Sequence, residues 1–378
     1  MKFYSVYFGA ALLCRGGGGA DAASYSVSIT DRSMTGAPII SNRPADDPYS
    51  ATACGGGACT NVLNAGWIPY TSDPLSDVGG LFLRLSTEGC YPSVIALVDA
   101  VPGSNGLEFE DPSDDNILRD GNDPDAIFPD VDNATIAFAA DPRTAYRPLT
   151  GDYFVTYQQS PAGGGRRTTI SRSKTPSDHN SWHRHDTTMF STDDCATALW
   201  FPYDFDESAD PNDPPKEYAI ATFGELRGGN LTLVSSSDHM KTWDVEETFV
   251  LTRNDSYWDN ATLSTGPSPV LLSDGNWLLL YNIDNLWPVN DPVQPFPYFG
   301  RCALGYVILD ANNITNVLAR SDEPLVYAEL PWELNGTTPQ VVYTDGIRPL
   351  GGDEFIVYSG GGDTVIEALS IKININNE

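Results

Sequence analysis

Basic side chains are scarce in this sequence. Of 378 residues only 21 are Lys or Arg, against 51 Asp or Glu, and the formal net charge is −30 at pH 7. Binding to nucleic acid needs clustered Lys and Arg that neutralise phosphates, and attraction to an anionic membrane surface needs the same residues. We therefore expect neither a nucleic acid nor a membrane as a partner.

Long apolar runs and the common cofactor motifs are also missing. No stretch reaches the roughly 18 apolar residues that span a bilayer. The sequence has no Walker loop, dinucleotide fingerprint, Gly-x-Ser-x-Gly elbow or Cys-x-x-Cys pair. Its cluster of His179, His183 and His185 falls in a polar hairpin between predicted strands, where solvated side chains are commoner than metal ligands. We expect no cofactor and no metal.

Gly, Pro and aromatic residues are plentiful. The chain has 34 Gly and 28 Pro, and 11% of its residues are aromatic. This composition indicates a β protein with many turns, and 41% apolar residues are enough for a folded core. The shortage of Lys is also typical of salt-adapted proteins, which stays an alternative reading of the charge.

The first 23 residues resemble a secretory signal peptide. An apolar stretch follows Lys2, and small residues with the pattern Ala20-Asp21-Ala22 come after it, although Arg15 and four glycines separate the two parts. We expect residues 1–23 to be removed and the protein to be secreted. The alternative is an ordinary unstructured N-terminus.

Six glycosylation sequons agree with a secretory route and predict a glycoprotein. They begin at Asn133, Asn230, Asn254, Asn260, Asn313 and Asn335. Without Cys14, five cysteines remain, so at least one thiol is left over. Cys54 and Cys59 are close enough in sequence to close a small loop, but the sequence does not define the pairing.

One strand pattern recurs five times, each time as a turn residue followed by four or five apolar residues. The five copies are Gly80–Leu85, Asp152–Tyr157, Glu217–Ala221, Asn276–Tyr281 and Asp353–Tyr358. Each is followed by a turn and a second strand-like run, and most are preceded by a third. A unit of this kind repeating at about 60 to 75 residues predicts a β-propeller blade. We predict an all-β protein in which residues 24–378 form a single five-bladed β-propeller.

The innermost strands of a propeller line a central channel. Polar residues just past those strands then face a common cavity, which would bring Asn64, Asp141, Arg143 and Asp345 to one mouth of the channel. We expect Arg143 and Asp345 to bind substrate there. The segment Asp141-Pro142-Arg143 places a carboxylate beside a guanidinium and suits a site that protonates an oxygen, or is a structural turn with a surface ion pair. Asp363 follows three glycines and is either a turn residue or a carboxylate that faces a ligand.

The C-terminal third carries a resemblance to a known family. Its motifs are Gly275–Tyr281, Ala303–Asp310, Trp332-Glu333-x-x-Gly336, Val341-Val342-Tyr343 and Val357–Asp363. Their order resembles glycoside hydrolase family 130, the β-mannoside phosphorylases and β-mannosidases, whose members are five-bladed propellers. The segment Ala140-Asp141-Pro142-Arg143 also resembles the Glu-Asp-Pro-Arg segment of that family.

The resemblance implies roles for several residues. Asp141 would be the general acid that protonates the leaving glycosidic oxygen. Asn64 and Arg84 resemble sugar-binding residues of the first blade, Asp363 resembles a carboxylate that holds sugar hydroxyls, and Tyr281 would line the same pocket. The implied substrate is an oligosaccharide or glycan, cleaved with inversion by one acid and one nucleophile on opposite faces of the sugar.

The sequence departs from the family at positions that matter for phosphate. Ala140 replaces the family's Glu, Cys195–Leu199 lacks the expected Lys, and Ala221-Thr222-Phe223 lacks the expected His and Arg, although Arg166 or Arg167 could serve instead. We therefore expect hydrolysis rather than phosphorolysis, with Glu225 as a base candidate by position alone. Two alternatives remain: a non-catalytic carbohydrate-binding propeller, and a furanosidase of the family 32 or 43 type. The oligomeric state stays open.

Overall fold

The description of the structure covers most of the chain. The computed structural model describes residues 23–42, 59–87, 93–120, 123–127, 138–160, 167–185, 189–190, 196–204, 210, 215–223, 227–253, 258–284 and 302–376. These residues form twenty-three β-strands and one short helix, α1 (Pro331–Leu334). None of the helices in this part of the chain is long and apolar enough to cross a bilayer.

The strands form five antiparallel blades in chain order. Blade one contains β2 (Asn61–Pro69), β3 (Gly79–Ser86) and β4 (Ser93–Asp99). Blade two contains β7 (Phe138–Arg147), β8 (Asp152–Ser160), β9 (Arg167–Ser173) and β10 (His183–Arg184). Between them lies a two-stranded ribbon of β5 (Arg119–Asp120) and β6 (Asp123–Ile127). One parallel contact, Ser93 with Phe138, joins the two blades.

The remaining blades follow the same plan. Blade three contains β11 (Thr197–Trp200), β12 (Glu217–Thr222), β13 (Leu231–Ser236) and β14 (Asp244–Leu251). Blade four contains β15 (Thr262–Thr265), β16 (Val270–Leu271), β17 (Trp277–Asp284), β18 (Cys302–Leu309), β19 (Val317–Arg320) and β20 (Val326–Tyr327). Blade five contains β21 (Val342–Gly351), β22 (Glu354–Gly361), β23 (Val365–Asn376) and, as its outer strand, β1 (Ser24–Asp31). The predicted five-bladed propeller is confirmed.

The five repeated runs of the sequence are the second strands of the blades, β3, β8, β12, β17 and β22. Each of them lies between two other strands of its sheet, and neighbouring blades cover both of its faces. All eight residues of β3, for example, are buried. A strand buried on both faces is a continuous apolar run, which explains why these strands carry the clearest signal in the sequence.

The ring closes by pairing the beginning of the chain with its end. Strand β1 runs antiparallel to β23, with Ser24 opposite Asn376 and Ile29 opposite Ile371. Blade five therefore contains strands from both ends of the chain, which ties the first blade to the last.

Five separate hydrophobic clusters fill the five interfaces between neighbouring blades. Large aromatic pairs lie in several of them. The rings of Phe82 and Trp182 meet edge to face at 4.9 Å between blades one and two, and those of Trp200 and Trp277 meet at 5.5 Å between blades three and four. The core of this protein is thus a ring of blade interfaces around the channel.

The structure describes only part of the two regions concerned in the predictions on cysteine pairing and on the N-terminus. Cys59 is disulfide-bonded, and Cys54 lies outside the described residues. Of the predicted signal peptide, residues 1–22 lie outside the described residues, and the first strand begins at Ser24.

Candidate active site

The predicted site residues meet on one face of the propeller. The first strand of each blade starts on this face, and the hairpin between the second and third strands returns to it. The hairpin of blade five carries Asp363. It contacts blade one through a hydrogen bond in which the Val62 amide donates to the Thr364 carbonyl at 3.4 Å. Asn64, Asp141, Asp345 and Asp363 therefore lie on the same face.

Three of these residues occupy β-bulges in innermost strands. The bulge of β2 is at Asn64, that of β7 spans Asp141 and that of β21 is at Asp345. The prediction that they come just past the strands was wrong, because each lies within its strand. A bulge adds an unpaired residue and turns it out of the pleat, so that the strand continues while one side chain is redirected.

The backbone at two bulges is left-handed. Asn64 has φ of 43° and Asp141 has φ of 56°. Asn and Asp are enriched in this region because their short polar side chains tolerate it. The same holds for Asp363, with φ of 54°, in the tight turn after Gly362.

Asp141 presents a partly exposed carboxylate between two donors. Its Oδ1 atom lies 3.6 Å from Nη1 of Arg84, and its Oδ2 atom accepts a hydrogen bond from Nε2 of Gln158 at 3.3 Å. Arg84 is held in turn, since its Nε donates to the Ser93 hydroxyl at 3.3 Å and that hydroxyl donates to the Ala139 carbonyl at 2.7 Å. The side chain of Asp141 keeps 17% exposure, so the carboxylate can reach a bound molecule.

Arg143 and Asp345 form a fully buried ion pair beneath this carboxylate. Their Nη2 and Oδ1 atoms are 2.7 Å apart, and neither side chain is exposed. Arg143 also donates to the carbonyls of Thr265 and Gly266 in blade four at 2.8 to 3.1 Å. Burial is the largest single influence and acts to lower the pKa of Arg143, but Asp345, Tyr343 and Asp141 together outweigh it and the pKa is raised. The guanidinium is therefore charged and joins blades two, four and five.

The buried pair corrects one expectation. Arg143 and Asp345 were predicted as substrate-binding residues, but all exposed surface at this point belongs to other side chains. Because neither side chain is exposed, the two pair with each other, and Arg143 also donates to blade four, we assign them the structural task of holding the blades under the site. Their positions near the mouth of the channel agree with the prediction; their predicted contact with substrate does not.

Tyr281 is also buried away from the site. It belongs to the cluster between blades three and four, is 0% exposed, and stacks on Trp258 with ring centroids 6.2 Å apart. Its hydroxyl donates to Oδ2 of Asp259 at 2.8 Å, and burial raises its pKa far above the usual range. The prediction that Tyr281 lines the pocket was wrong, because alternation along β17 directs this side chain into a blade interface.

The hairpin that carries Asp363 is braced from behind. The Gly362 amide donates to the Val341 carbonyl at 3.0 Å, and the Gly362 carbonyl accepts from the Thr338 amide at 3.1 Å. A Cβ atom on Gly362 would collide with the Asn335 carbonyl, so only glycine fits there. The residues following α1 thereby fix the position of Asp363.

A cluster of buried charges supports the same region. Arg32 donates to Glu333 of α1 and lies 3.4 Å from Glu367 of β23, whose other oxygen accepts from the Trp332 indole at 2.7 Å. Burial raises the pKa of Glu367 to about 8, Arg32 opposes this shift, and Glu333 adds to it. Trp332 and Glu333 belong to a motif of the family resemblance, but nothing local in the sequence marks Arg32 and Glu367 as their partners.

The sequence did not predict roles for Gln158 and Ser93 for a related reason. Both lie at an end of the apolar run of their strands, β8 and β4, and both contact site residues only through tertiary structure. No local pattern marks either of them as a site residue.

The positions expected to bind phosphate carry no charge where they are described. At the start of β11 and the end of β12 they are Ala196, Thr197, Thr222 and Phe223, of which Ala196 and Phe223 lie just outside the strands. All four are buried, and the Thr222 hydroxyl accepts from the Thr265 amide at 2.9 Å. Arg167 is half-buried at the start of β9, whereas Arg166, Cys195 and Glu225 lie outside the described residues. Within the described ranges, no group of three or more His, Cys, Asp or Glu side chains is arranged to hold a metal ion.

The fold and the site together are a five-bladed propeller that carries a partly exposed carboxylate on an innermost bulge. The model of glycoside hydrolase family 130, described as β-1,4-mannooligosaccharide phosphorylase, matches residues 122–377. This chain belongs to glycoside hydrolase family 130. The motif order of the C-terminal third agrees with membership of this family and not with the furanosidase alternative.

Individual relatives match either a short part of this chain or the whole fold at low sequence identity. A 1,2-β-oligomannan phosphorylase of Thermoanaerobacter sp. (strain X514) is 32% identical over 136 residues, which is 35% of this chain and 40% of the relative. A structure from the family's glycoside hydrolases that target β-1,2-mannosidic linkages in Candida mannan has a TM-score of 0.65 at 16% identity, covering 90% of this chain and 92% of the other. The β-1,2-mannobiose phosphorylase of Listeria innocua has a TM-score of 0.60 at 16% identity, covering 91% and 96%.

Proposed function

We propose that this chain is an enzyme that cleaves β-linked mannosides with inversion, and that Asp141 is its general acid. The observation that carries the proposal is the carboxylate of Asp141, which stays partly exposed on an innermost bulge between Arg84 and Gln158. Asn64 and the Asp363 hairpin lie on the same face and are the proposed ligands of sugar hydroxyls. Family membership supports a mannoside as the substrate class.

The chemistry needs one proton and one nucleophile. The bond between C1 of the sugar and the leaving oxygen breaks, that oxygen takes a proton from Asp141, and the nucleophile bonds to C1 from the opposite face. With water as nucleophile, a base takes one proton of the attacking water and the other stays on the new C1 hydroxyl. The products are two sugars. With phosphate the product is mannose 1-phosphate.

We favour water as the nucleophile. The uncharged side chains on β11 and β12 support this choice, since a phosphate site needs cationic or strongly donating groups. The Thermoanaerobacter and Listeria relatives are phosphorylases, and they support the other choice. Among the residues that the structure describes, Arg167 on blade two is the remaining candidate ligand for phosphate.

The test is turnover of β-1,2- and β-1,4-mannobiose and longer oligosaccharides, with and without inorganic phosphate. We expect mannose as the product in both conditions, and Asp141→Asn should reduce kcat by about 10²- to 10⁴-fold while sugar binding persists. If cleavage occurs only with added phosphate and gives mannose 1-phosphate, the reaction is phosphorolysis and the choice of water as nucleophile is wrong. Glycan binding without any turnover by the wild type would instead identify a carbohydrate-binding propeller.

We also propose, from the N-terminal pattern and the sequons, that the protein enters the secretory pathway. Asn313 and Asn335 are exposed, whereas the Asn230 side chain is engaged with the Arg227 carbonyl and the Arg253 amide. A mass shift on endoglycosidase treatment of protein expressed in eukaryotic cells tests this, and intracellular retention without glycans contradicts it.

A further inference from the structure

Gln158 is the second residue that touches the Asp141 carboxylate, and it has no role in the function outlined so far. It lies on β8, opposite Ala140 in the register of β7. Between Ala140 and Arg143 the register shifts, and the extra residues of the bulge turn the Asp141 carboxylate toward the Gln158 amide. The side chain of Gln158 is buried, at 7% exposure.

Resting on the proposed function, we propose that Gln158 is the positioning residue of the catalytic acid. An amide group offers two N–H donors and one carbonyl acceptor. When Asp141 is ionised, Nε2 of Gln158 donates to its Oδ2, as the structure has it. When Asp141 is protonated, rotation of the terminal torsion of Gln158, which is broad and roughly two-fold, presents the carbonyl as acceptor. The carboxyl group thereby keeps its orientation before and after it gives up its proton.

Arg84 does not have this property. A guanidinium only donates and stays charged, so Arg84 favours the ionised carboxylate alone. Among the described residues, Arg143 on the same strand is a further charged group near Asp141, and it is paired with Asp345 of β21. Gln158 is thus the neutral contact that serves both protonation states.

The neighbouring Gln159 provides a matched control. It is equally buried, at 5% exposure, but it faces the other side of β8, where its carbonyl accepts from the Thr169 hydroxyl at 3.0 Å. A substitution at Gln159 therefore removes the same residue type from the same strand without touching Asp141.

The experiment compares Gln158→Met, Gln158→Glu and Gln159→Met. A general acid must be protonated, so activity falls as pH rises through its pKa, on the alkaline side of the profile. Gln158→Met removes the donor and the acceptor together, so kcat should fall about 10-fold or more while KM and the position of this limb stay nearly unchanged, because the wild-type amide contacts both protonation states. In Gln158→Glu a second carboxylate beside Asp141 opposes its ionisation and should move this limb of kcat/KM to higher pH. Gln159→Met should keep the wild-type profile.

A second measurement does not depend on turnover. The ¹³C carboxyl resonance of Asp141, identified by its loss in Asp141→Asn, should titrate at higher pH in Gln158→Glu than in the wild type and should be unchanged in Gln159→Met. An unchanged titration in Gln158→Glu, an unchanged kcat in Gln158→Met, or an equal loss of kcat in Gln159→Met overturns the proposal. A shifted titration in a protein without mannosidase activity retains the contact but rejects the proposed function, so the two failures are distinguishable. If Gln158→Met does not fold, as judged by its melting curve, Gln158→Glu carries the test.

Discussion

Replacing Asp345 with Asn leaves the shape of the site intact and removes one charge from its centre. The guanidinium of Arg143 then stays fully buried without its counter-ion. Breaking a buried pair on one side costs about 3 to 5 kcal/mol. Since unfolding entropy is about 2.1 cal/mol/K per residue, 378 residues give about 0.8 kcal/mol/K, and we expect Tm to fall by about 4 to 6 °C.

Differential scanning calorimetry measures this change. The matched control is Glu354→Gln, because the Glu354–Lys372 pair of the same blade is largely exposed and should be worth under about 1 kcal/mol. In a cycle with Arg143→Met, the double variant should lose about 2 kcal/mol less than the two single losses combined. A Tm within 1 °C of the control, or strict additivity in the cycle, refutes the assignment of Arg143 and Asp345 to structural support.

Three further substitutions test a buried ionisable group and the backbone contacts near the site. Glu367 holds its proton in the folded protein up to a pH of about 8, against an ordinary pKa of 4.5, so the folded state binds more protons between these values. The free energy of unfolding should therefore fall with rising pH in this window by up to about 1.4 kcal/mol per unit, and urea unfolding of Glu367→Gln should show a flatter dependence; an unchanged slope contradicts the raised pKa. At Gly346 a Cβ atom would press into the backbone of β2, so Gly346→Ala should cost about 1 to 3 kcal/mol. Gly360→Ala, where the nearest atom is 3.4 Å away, should cost less, and equal losses in the two variants would point away from steric conflict.

The second strand of every blade could be read from the sequence. These strands are covered on both faces and flanked on both edges, so they are mostly apolar and stand out between turn residues. The first strands gave a weaker signal, because β2, β7 and β21 carry polar residues and bulges. A bulge depends on how a strand meets its neighbour, and local residue preferences do not specify it.

The site was predicted in outline, but its side chains were not sorted. The sequence pattern grouped Asp141, Arg143 and Asp345 correctly in space. It could not distinguish an exposed carboxylate from a buried ion pair, because a one-residue difference in register decides which side chain faces the cavity. The same alternation placed Tyr281 in a blade interface.

Composition and repeat length alone determined that this chain is an all-β propeller of five units, since apolar runs separated by turns and repeated about every 60 to 75 residues have few other ways to bury their faces. Only the tertiary structure decided which polar residues work together. The contact of Asp141 with Arg84 and Gln158 joins two blades and three strands, and it depends on strand register and a left-handed bulge. Such contacts arise from the summed geometry of the ring, which no stretch of the sequence contains by itself.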